Sequence, residues 1–410
     1  MGKTIALAGT LDSKGQEFQY VKELIGSLGF EVFMIDTGVF PAQIDVDVTN
    51  AQVAEAGGGD IEKLAENQDR ADATAHLSKG TEVLFPKLYE QGKFDAILSL
   101  GGTGGTSIVT PGMRALPVGV PKVMVSTVAS GNTQPYVGTS DIIMVPSIVD
   151  VAGLNRISTQ IFQNAVSAIA GMLGYKGKIE TKKEEDEKPL IAATMFGLTT
   201  PCINHAREYL ENKGYEVLIF HATGIGGQTM ESLIEDGFFD GVLDITTTEW
   251  SDEIVGGVLA AGQHRLEAAA KNNVPQVVSV GALDMVNFGP YETVPEKFAD
   301  RKFYKHNPTV TLMRTSEEEN EKFGKVIAEK LNMSKGNTAL MLPLKGLSGL
   351  DVEGKDFYDP EADQALFDAL KENIDNDKVE LLEMDKDIND TAFAEAAAKK
   401  LIELLEARKE

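Results

Sequence analysis

A glycine-rich run at residues 101–105 is the part of the sequence best suited to chemistry. It follows the apolar stretch Asp95–Leu100, and Thr106 comes next, where a helix is expected to begin. Glycine lacks a Cβ atom, so this backbone can turn sharply and approach a ligand closely. Unpaired amides at a helix N-terminus attract phosphate. The run therefore indicates phosphate binding, although a tight turn with nothing bound has the same composition. Its residues are Gly101, Gly102, Thr103, Gly104 and Gly105.

Two charged side chains follow the first predicted strand, Lys3–Gly9. Asp12 and Lys14 lie in a polar loop that begins at Thr10. Lysine binds phosphate as a point charge, and aspartate binds Mg²⁺ or a ribose hydroxyl. The alternative is that Asp12 caps the following helix while Lys14 is solvated.

Further polar groups follow or precede later strands of the first half. Asp141 stands at the start of a short predicted strand, where it can serve a metal ion or a hydroxyl group, or only turn the chain. The strand Pro121–Ser126 runs into a small, hydroxyl-rich loop. That loop offers donors to a ligand, or satisfies its own backbone. Its candidate residues are Ser126, Thr127, Ser130 and Gly131.

The second half repeats this pattern with carboxylates at predicted strand ends. Glu249 and Asp284 are candidates for an acid/base or metal pair, although no spacing determines their separation. The turns nearby suggest a second small-molecule site or one wall of a cleft shared between domains. The other residues of this group are Thr223, Gly224, Gly226, Gly227 and Asn287.

Strands and helices alternate along the whole chain, which predicts two α/β domains. Strand, helix, strand in this order forms a right-handed parallel unit. Ligands of such sheets bind outside the carboxyl ends of the strands, so the loops after Gly9, Asp36 and Leu100 should share one edge. We expect two Rossmann-like parallel-sheet domains with a cleft between them, at 1–180 and 190–410, joined by a charged linker at 181–189.

Charge and composition exclude several classes of partner. The net charge of -25, with no basic patch, disfavours nucleic acid and acidic membranes. No apolar run reaches the roughly 18 residues of a membrane span. The only cysteine, Cys202, cannot form an internal disulfide, which fits a reducing cytoplasm. An anionic ligand would need local help from amides, lysines or a divalent cation.

Several motifs, taken in order, resemble a known family. It comprises largely uncharacterised bacterial, fungal and plant proteins that share the ATP-binding N-terminal domain of the tomato tobamovirus-resistance protein. The resemblance covers nearly the whole chain. The motifs are Gly9–Lys14, Gly101–Gly105, Val125–Gly131, Gly153–Asn155, His221–Gly227, Thr246–Trp250 and Gly281–Gly289.

This resemblance implies a Rossmann-like protein that binds ATP with Mg²⁺ and forms homo-oligomers. It places the nucleotide loops at Thr10–Lys14, Gly101–Thr106 and Ser126–Gly131. Our expectation is a cytoplasmic ATP-binding protein, with Mg²⁺ near Asp12 or Asp141. The alternative is an enzyme acting on a small carboxylate or sugar-like metabolite through Glu249 and Asp284.

Overall fold

The computed structural model describes residues 2–175 and 188–408. Most of the charged linker predicted at 181–189 lies outside these residues. The chain divides into two compact units, Met1–Lys182 and Lys183–Glu410. Each unit is built around a parallel sheet, which confirms the predicted α/β class with two Rossmann-like domains.

The N-terminal unit contains one sheet of five parallel strands in the order β2-β1-β3-β4-β5. All six residues of β3 are buried, as expected for a central parallel strand covered on both faces. Register is set by pairs such as Ile5 with Ala96. The strands are β1 (Thr4–Gly9), β2 (Glu31–Asp36), β3 (Ala96–Gly101), β4 (Lys122–Ser126) and β5 (Ile143–Pro146).

Helices cover both faces of this sheet. Phe18, Val21 and Ile25 of the first helix are fully buried, because their spacing places them on one helical face. On the other face, Leu77 and Val109 belong to a second apolar cluster. The helices are α1 (Leu11–Ser27), α2 (Asn50–Ala56), α3 (Ile61–Asn67), α4 (Arg70–Glu90), α5 (Thr103–Arg114), α6 (Gln134–Val137) and α7 (Arg156–Tyr175).

The C-terminal unit contains two sheets. Six parallel strands form the larger one in the order β14-β13-β9-β8-β6-β7, and β10-β12-β11 form a smaller antiparallel sheet. The strands are β6 (Leu190–Met195), β7 (Glu216–His221), β8 (Gly241–Thr246), β9 (Gln276–Gly281), β10 (Met285–Phe288), β11 (Phe303–Asn307), β12 (Val310–Arg314), β13 (Thr338–Pro343) and β14 (Val379–Met384).

The small antiparallel sheet differs from the sequence prediction. We expect Asn287 to lie in a turn at a strand end, but it lies inside β10, opposite Leu312 of β12. The run Met285–Phe288 is short and flanked by glycines, so its pattern does not separate a strand from a loop. The segment forms a strand because it pairs with β12, which comes later in the chain.

Seven helices accompany these sheets among the described residues. The last one buries Phe393, Ala397 and Leu401 against the larger sheet, as its apolar spacing predicts. No helix in the described part of the chain has both the length and the apolar content of a membrane span. The helices are α8 (Thr200–Asn212), α9 (Ile225–Glu235), α10 (Glu249–Val255), α11 (Ala268–Lys271), α12 (Glu317–Leu331), α13 (Pro360–Asn373) and α14 (Thr391–Ala407).

Candidate functional site

A cavity of about 370 Å³ lies at the carboxyl ends of β1 and β3 in the N-terminal unit. The chain leaves these neighbouring strands in opposite directions, to β2 on one side and to β4 on the other. This is the topological switch point at which open parallel sheets bind ligands. The residues lining the cavity are Thr10, Asp12, Ser13, Lys14, Thr37, Val39, Arg70, Thr74, Gly102, Thr103, Gly104, Gly105 and Ile108.

The N-terminus of α5 forms one wall of this cavity. Gly102 is its N-cap residue, and no side chain caps the helix there. A Cβ atom added to Gly104 would lie 3.0 Å from Nη2 of Arg70. Backbone amides and a guanidinium group therefore stand side by side, and both bind phosphate oxygens.

Arg70 was not predicted from the sequence. It is the first residue of α4, far from the glycine run in the chain, and no local pattern marks it as a ligand-binding residue. Its side chain is exposed, and it forms no hydrogen bond or ion pair with the part of the chain described. A free cation at a helix N-terminus is suited to an anionic ligand.

Asp12 brings a carboxylate to the same cavity. Its Oδ2 accepts hydrogen bonds from the amides of Val39 and Phe40, both at 3.1 Å. Its Oδ1 is buried and has no partner within residues 2–175 and 188–408. Thr37 Oγ1, on the same cavity wall, is likewise buried and unpaired among those residues. Buried polar atoms are normally satisfied, so these two oxygens are candidate ligand contacts.

Asp36, at the end of β2, adds a second carboxylate near Asp12. Burial raises the pKa of Asp36 to about 6, and the charge of Asp12 adds to this increase. Hydrogen bonds from the amides of Gly38 and Leu11 oppose it, because they stabilise the ionised carboxylate. A nearby cation would relieve this cost. The described residues contain no group of three or more His, Cys, Asp or Glu side chains able to cage a metal. Mg²⁺ here would therefore depend on water and ligand phosphates for most of its coordination.

Lys14 lines the cavity but is already engaged. Its backbone departs from helical geometry inside α1, with φ -127° and ψ 24°. Its Nζ donates to the carbonyl of Val151, in the segment before α7. The predicted phosphate contact by Lys14 therefore competes with a contact inside the unit, whereas the guanidinium of Arg70 has no such partner in the described part of the chain.

The loop after β4 is divided between two roles. Ser126 is buried, and its hydroxyl lies 2.6 Å from the hydroxyl of Thr106. This hydrogen bond connects the end of β4 to α5. Thr127 and Ser130 line a different cavity of about 470 Å³, together with residues 146–150. The amide of Gly131 donates to the carbonyl of Val128. None of these four residues lines the cavity beside α5.

Asp141 does not belong to this edge of the sheet. Of the two aspartates near which Mg²⁺ was expected, Asp12 lines the cavity and Asp141 does not. It precedes β5 and forms an ion pair with Lys122, the first residue of β4. The amino ends of parallel strands share the edge opposite the glycine run. Burial alone would raise the pKa of Asp141, but Lys122 and the amide of Gly119 hold it below its usual value.

Glu249 fills the second glycine turn, in the C-terminal unit. Its Oε1 accepts hydrogen bonds from the amides of Gly224 at 2.7 Å and Gly227 at 3.1 Å, at the N-terminus of α9. A Cβ atom on Gly227 would lie 2.2 Å from Glu249 Oε2, so only glycine fits. This turn binds an anion, but the anion is the unit's own carboxylate.

Arg265 closes the other side of Glu249. Its Nε donates to Glu249 Oε2 at 2.7 Å, and its guanidinium also pairs with Asp244 and Glu231. Arg265 is only 1% exposed. Burial lowers the pKa of Arg265, but the three carboxylates outweigh burial and raise it well above the usual value. The cluster is a buried ion-pair network rather than an open site.

Asp284 belongs to another buried cluster and does not pair with Glu249. Its Oδ2 accepts a hydrogen bond from Ser348 Oγ at 2.8 Å, and Arg314 donates to its backbone carbonyl. Burial raises the pKa of Asp284 to about 7, with Arg314 opposing the shift. Neither Asp284 nor Glu249 lines any of the cavities described here. The predicted acid/base or metal pair is therefore not formed.

Comparison with known proteins identifies the family. Two family models match in order: the N-terminal domain of an uncharacterised protein family, UPF0261, over residues 3–178, and its C-terminal domain over residues 188–405. The chain belongs to the UPF0261 family. A UPF0261 protein from Clostridium tetani is 55% identical over 407 residues, which are 99% of this chain and 100% of that protein.

The plant relative expected from the sequence motifs is also found. The tomato protein named ToMV resistance protein Tm-1(GCR237) is 46% identical over 339 residues, which are 82% of this UPF0261 chain and 45% of the tomato protein. The predicted family resemblance is thereby confirmed. Among solved structures, a UDP-N-acetylglucosamine 2-epimerase from Rickettsia bellii covers 99% of this chain and 96% of its own, at 10% identity. Its TM-score of 0.22 supports no inference.

Proposed function

We propose that this UPF0261 protein binds ATP in a Mg²⁺-dependent manner, with the triphosphate in the cavity at the carboxyl ends of β1 and β3. One observation carries the proposal: the N-terminus of α5 lies beside the guanidinium of Arg70 at the sheet's switch point, and no side chain among the described residues caps that helix or pairs with Arg70. The cavity of about 370 Å³ falls within the roughly 300–1,000 Å³ of small-molecule pockets.

Each group has a role that its chemistry suits. The amides of Gly104 and Gly105 and the guanidinium of Arg70 bind phosphate oxygens. Asp12 Oδ1 would hold Mg²⁺, which would neutralise part of the charge of the phosphates. Thr10 and Thr37 supply hydroxyl contacts from the same wall. We also propose a homo-oligomer in the cytoplasm, on the strength of the family resemblance and the single cysteine.

Calorimetry tests this site through Gly104. Titration with ATP, with and without Mg²⁺, should show Mg²⁺-dependent binding, and phosphate release from the same sample reports any turnover. Gly104→Val should abolish binding, because the valine side chain occupies the space where the phosphate approaches the amides. The variant should still fold, since the new side chain meets only the flexible end of Arg70. The control is Gly171→Val, in α7, where a Cβ atom has no neighbour within 4 Å. Unchanged binding by Gly104→Val would overturn the proposal.

Arg70 provides a second, independent test. Arg70→Ala removes a charge-assisted hydrogen bond to phosphate, so ATP should bind about 10- to 100-fold more weakly. Arg156→Ala is the matched control, since it is also an exposed arginine at the start of a helix but lies outside the cavity. Equal losses in both variants would indicate general charge attraction instead of a specific contact.

A further inference from the structure

We infer that the C-terminal unit binds a small, uncharged and largely apolar ligand that donates one hydrogen bond to Asn287. The site is a cavity of about 340 Å³ where the carboxyl ends of β6 and β7 meet the antiparallel sheet. It shares no lining residue with the proposed nucleotide site, so the inference stands independently of ATP binding.

Apolar side chains form most of the cavity wall. Phe196 and Leu198 come from the segment after β6, and Leu259 follows α10. Val310 and Leu312 come from β12. Pockets of this size with an apolar lining and a few polar groups are typical of small-molecule sites.

Asn287 contributes the polar anchor. Its backbone N–H and its Nδ2 both donate to Asp252, at 3.1 and 2.7 Å, and its carbonyl accepts from Val258 N at 2.9 Å. The remaining atom, Oδ1, is buried and has no partner among the described residues. Asn287 is 1% exposed, and an unpaired buried carbonyl is unfavourable. Because Asp252 holds Nδ2, the amide presents an acceptor, which a ligand N–H or O–H would satisfy.

The charge of the lining side chains restricts the class of ligand that can bind in the cavity. Of the residues that the structure describes, no Lys, Arg, Asp or Glu lines it; besides Asn287, the polar lining consists of Thr223, His306 and Asn307. A phosphate or carboxylate buried there would be paired with neither an ammonium nor a guanidinium group from this lining. The rings of Phe196 and His306 favour a planar ligand. The structure therefore points to a neutral aromatic compound with one N–H or O–H donor.

Two probes of equal shape test the hydrogen bond without changing the protein. Indole has a ring N–H, and benzofuran has an oxygen at the same position. Binding to the full chain is followed by protein-observed NMR. Indole should bind about 3- to 10-fold more tightly than benzofuran, as a neutral hydrogen bond predicts. Equal affinities would overturn the role of Asn287, and failure of both probes to bind would overturn the site.

A cavity-filling variant locates the binding. Val310→Trp should reduce indole binding at least 10-fold, since Val310 lines the cavity. Phe238→Trp is the control, because Phe238 is 45% exposed and lies outside the cavity. Should Val310→Trp not fold, Gly197→Trp replaces it: Gly197 lines the cavity, and a Cβ atom there has no neighbour within 4 Å. Indole binding that survives in the folded variant would place it elsewhere and contradict the inference.

Discussion

The two glycine turns of this protein look alike in sequence and differ in what occupies them. In the C-terminal unit, the amides of Gly224 and Gly227 bind Glu249, which Arg265 holds from the other side. In the N-terminal unit, no side chain caps the helix after Gly102, and Arg70 is unpaired within the described ranges. One turn is satisfied by an internal carboxylate, and the other lines an open cavity.

This difference shows how a glycine turn at a helix N-terminus can contribute either to stability or to ligand binding. A helix N-terminus attracts an anion in either case, because its amides are unpaired and its dipole is positive. When the fold supplies the anion, the turn becomes part of the core. When the fold supplies a free cation instead, the turn suits an external anion. The predictions below test this division.

Removal of Glu249 should have the largest effect. Glu249→Ala leaves two buried amides and part of Arg265 without a partner, which should lower the free energy of unfolding by roughly 3–5 kcal/mol. Urea unfolding measures the change. Glu235→Ala, an exposed glutamate at the end of α9, should stay within about 0.5 kcal/mol of the wild type. Added acetate should restore part of the free energy of unfolding that Glu249→Ala loses. If Glu249→Ala is as stable as the wild type, the contact between Glu249 and the glycine turn does not stabilise the fold.

Adding one methyl group to each turn should separate them directly. Gly227→Ala places a Cβ atom against the Glu249 carboxylate and should destabilise the protein by about 1–3 kcal/mol. Gly105→Ala meets its nearest atoms only at 4.0 Å and lies in a helix, so it should be neutral or stabilising by up to about 1 kcal/mol. Thermal unfolding of both variants checks the contrast. Similar losses would show that the N-terminal turn is as closely packed as the other.

Asp36 should report the electrostatic cost of burying a carboxyl group near Asp12. Burial raises its pKa to about 6 in the folded state, above its unfolded value, so its contribution to stability is present at low pH. That contribution is lost as the pH rises from about 4 to 6, because the folded state must then ionise a buried carboxyl.

The variant Asp36→Asn keeps an acceptor for the amides of Leu11 and Gly38 and removes the charge. It should raise the free energy of unfolding at pH 7 by about 1–2 kcal/mol and flatten its decline between pH 4 and 6. Urea unfolding across this pH range, with Asp45→Asn as the exposed control, measures both effects. If the free energy of unfolding depends on pH in the same way in Asp36→Asn and the wild type, ionisation of Asp36 does not destabilise the folded state.

Much of the fold could be predicted from local patterns. The apolar run at β3 and the spacing of Phe18, Val21 and Ile25 indicate a buried strand and an amphipathic helix, and both are present. The small antiparallel sheet was missed, because β10 is only four residues long and its partner β12 begins more than twenty residues later. Long-range pairing leaves no periodic signal in such a short segment.

The candidate site was predictable only in part. The loops at Thr10 and Gly101 follow adjacent strands, so topology alone brings them together. Thr37 follows β2 and lies at the same edge, as the strand order predicts. Arg70 reaches the cavity from α4, whose placement the sequence does not specify. The roles of Lys14 and Asp141 changed because each has a partner distant in the chain, the carbonyl of Val151 and the ammonium of Lys122.

The sequence by itself determined the alternation of strands and helices, the two parallel sheets and the glycine turns that follow their strands. These features depend on side-chain periodicity and on residues without a Cβ atom, both of which are local properties. Only the tertiary structure decided which turn is filled and which is open. That outcome depends on where Glu249 and Arg70 lie in space, and electrostatic pairing acts across distance in space and not along the chain.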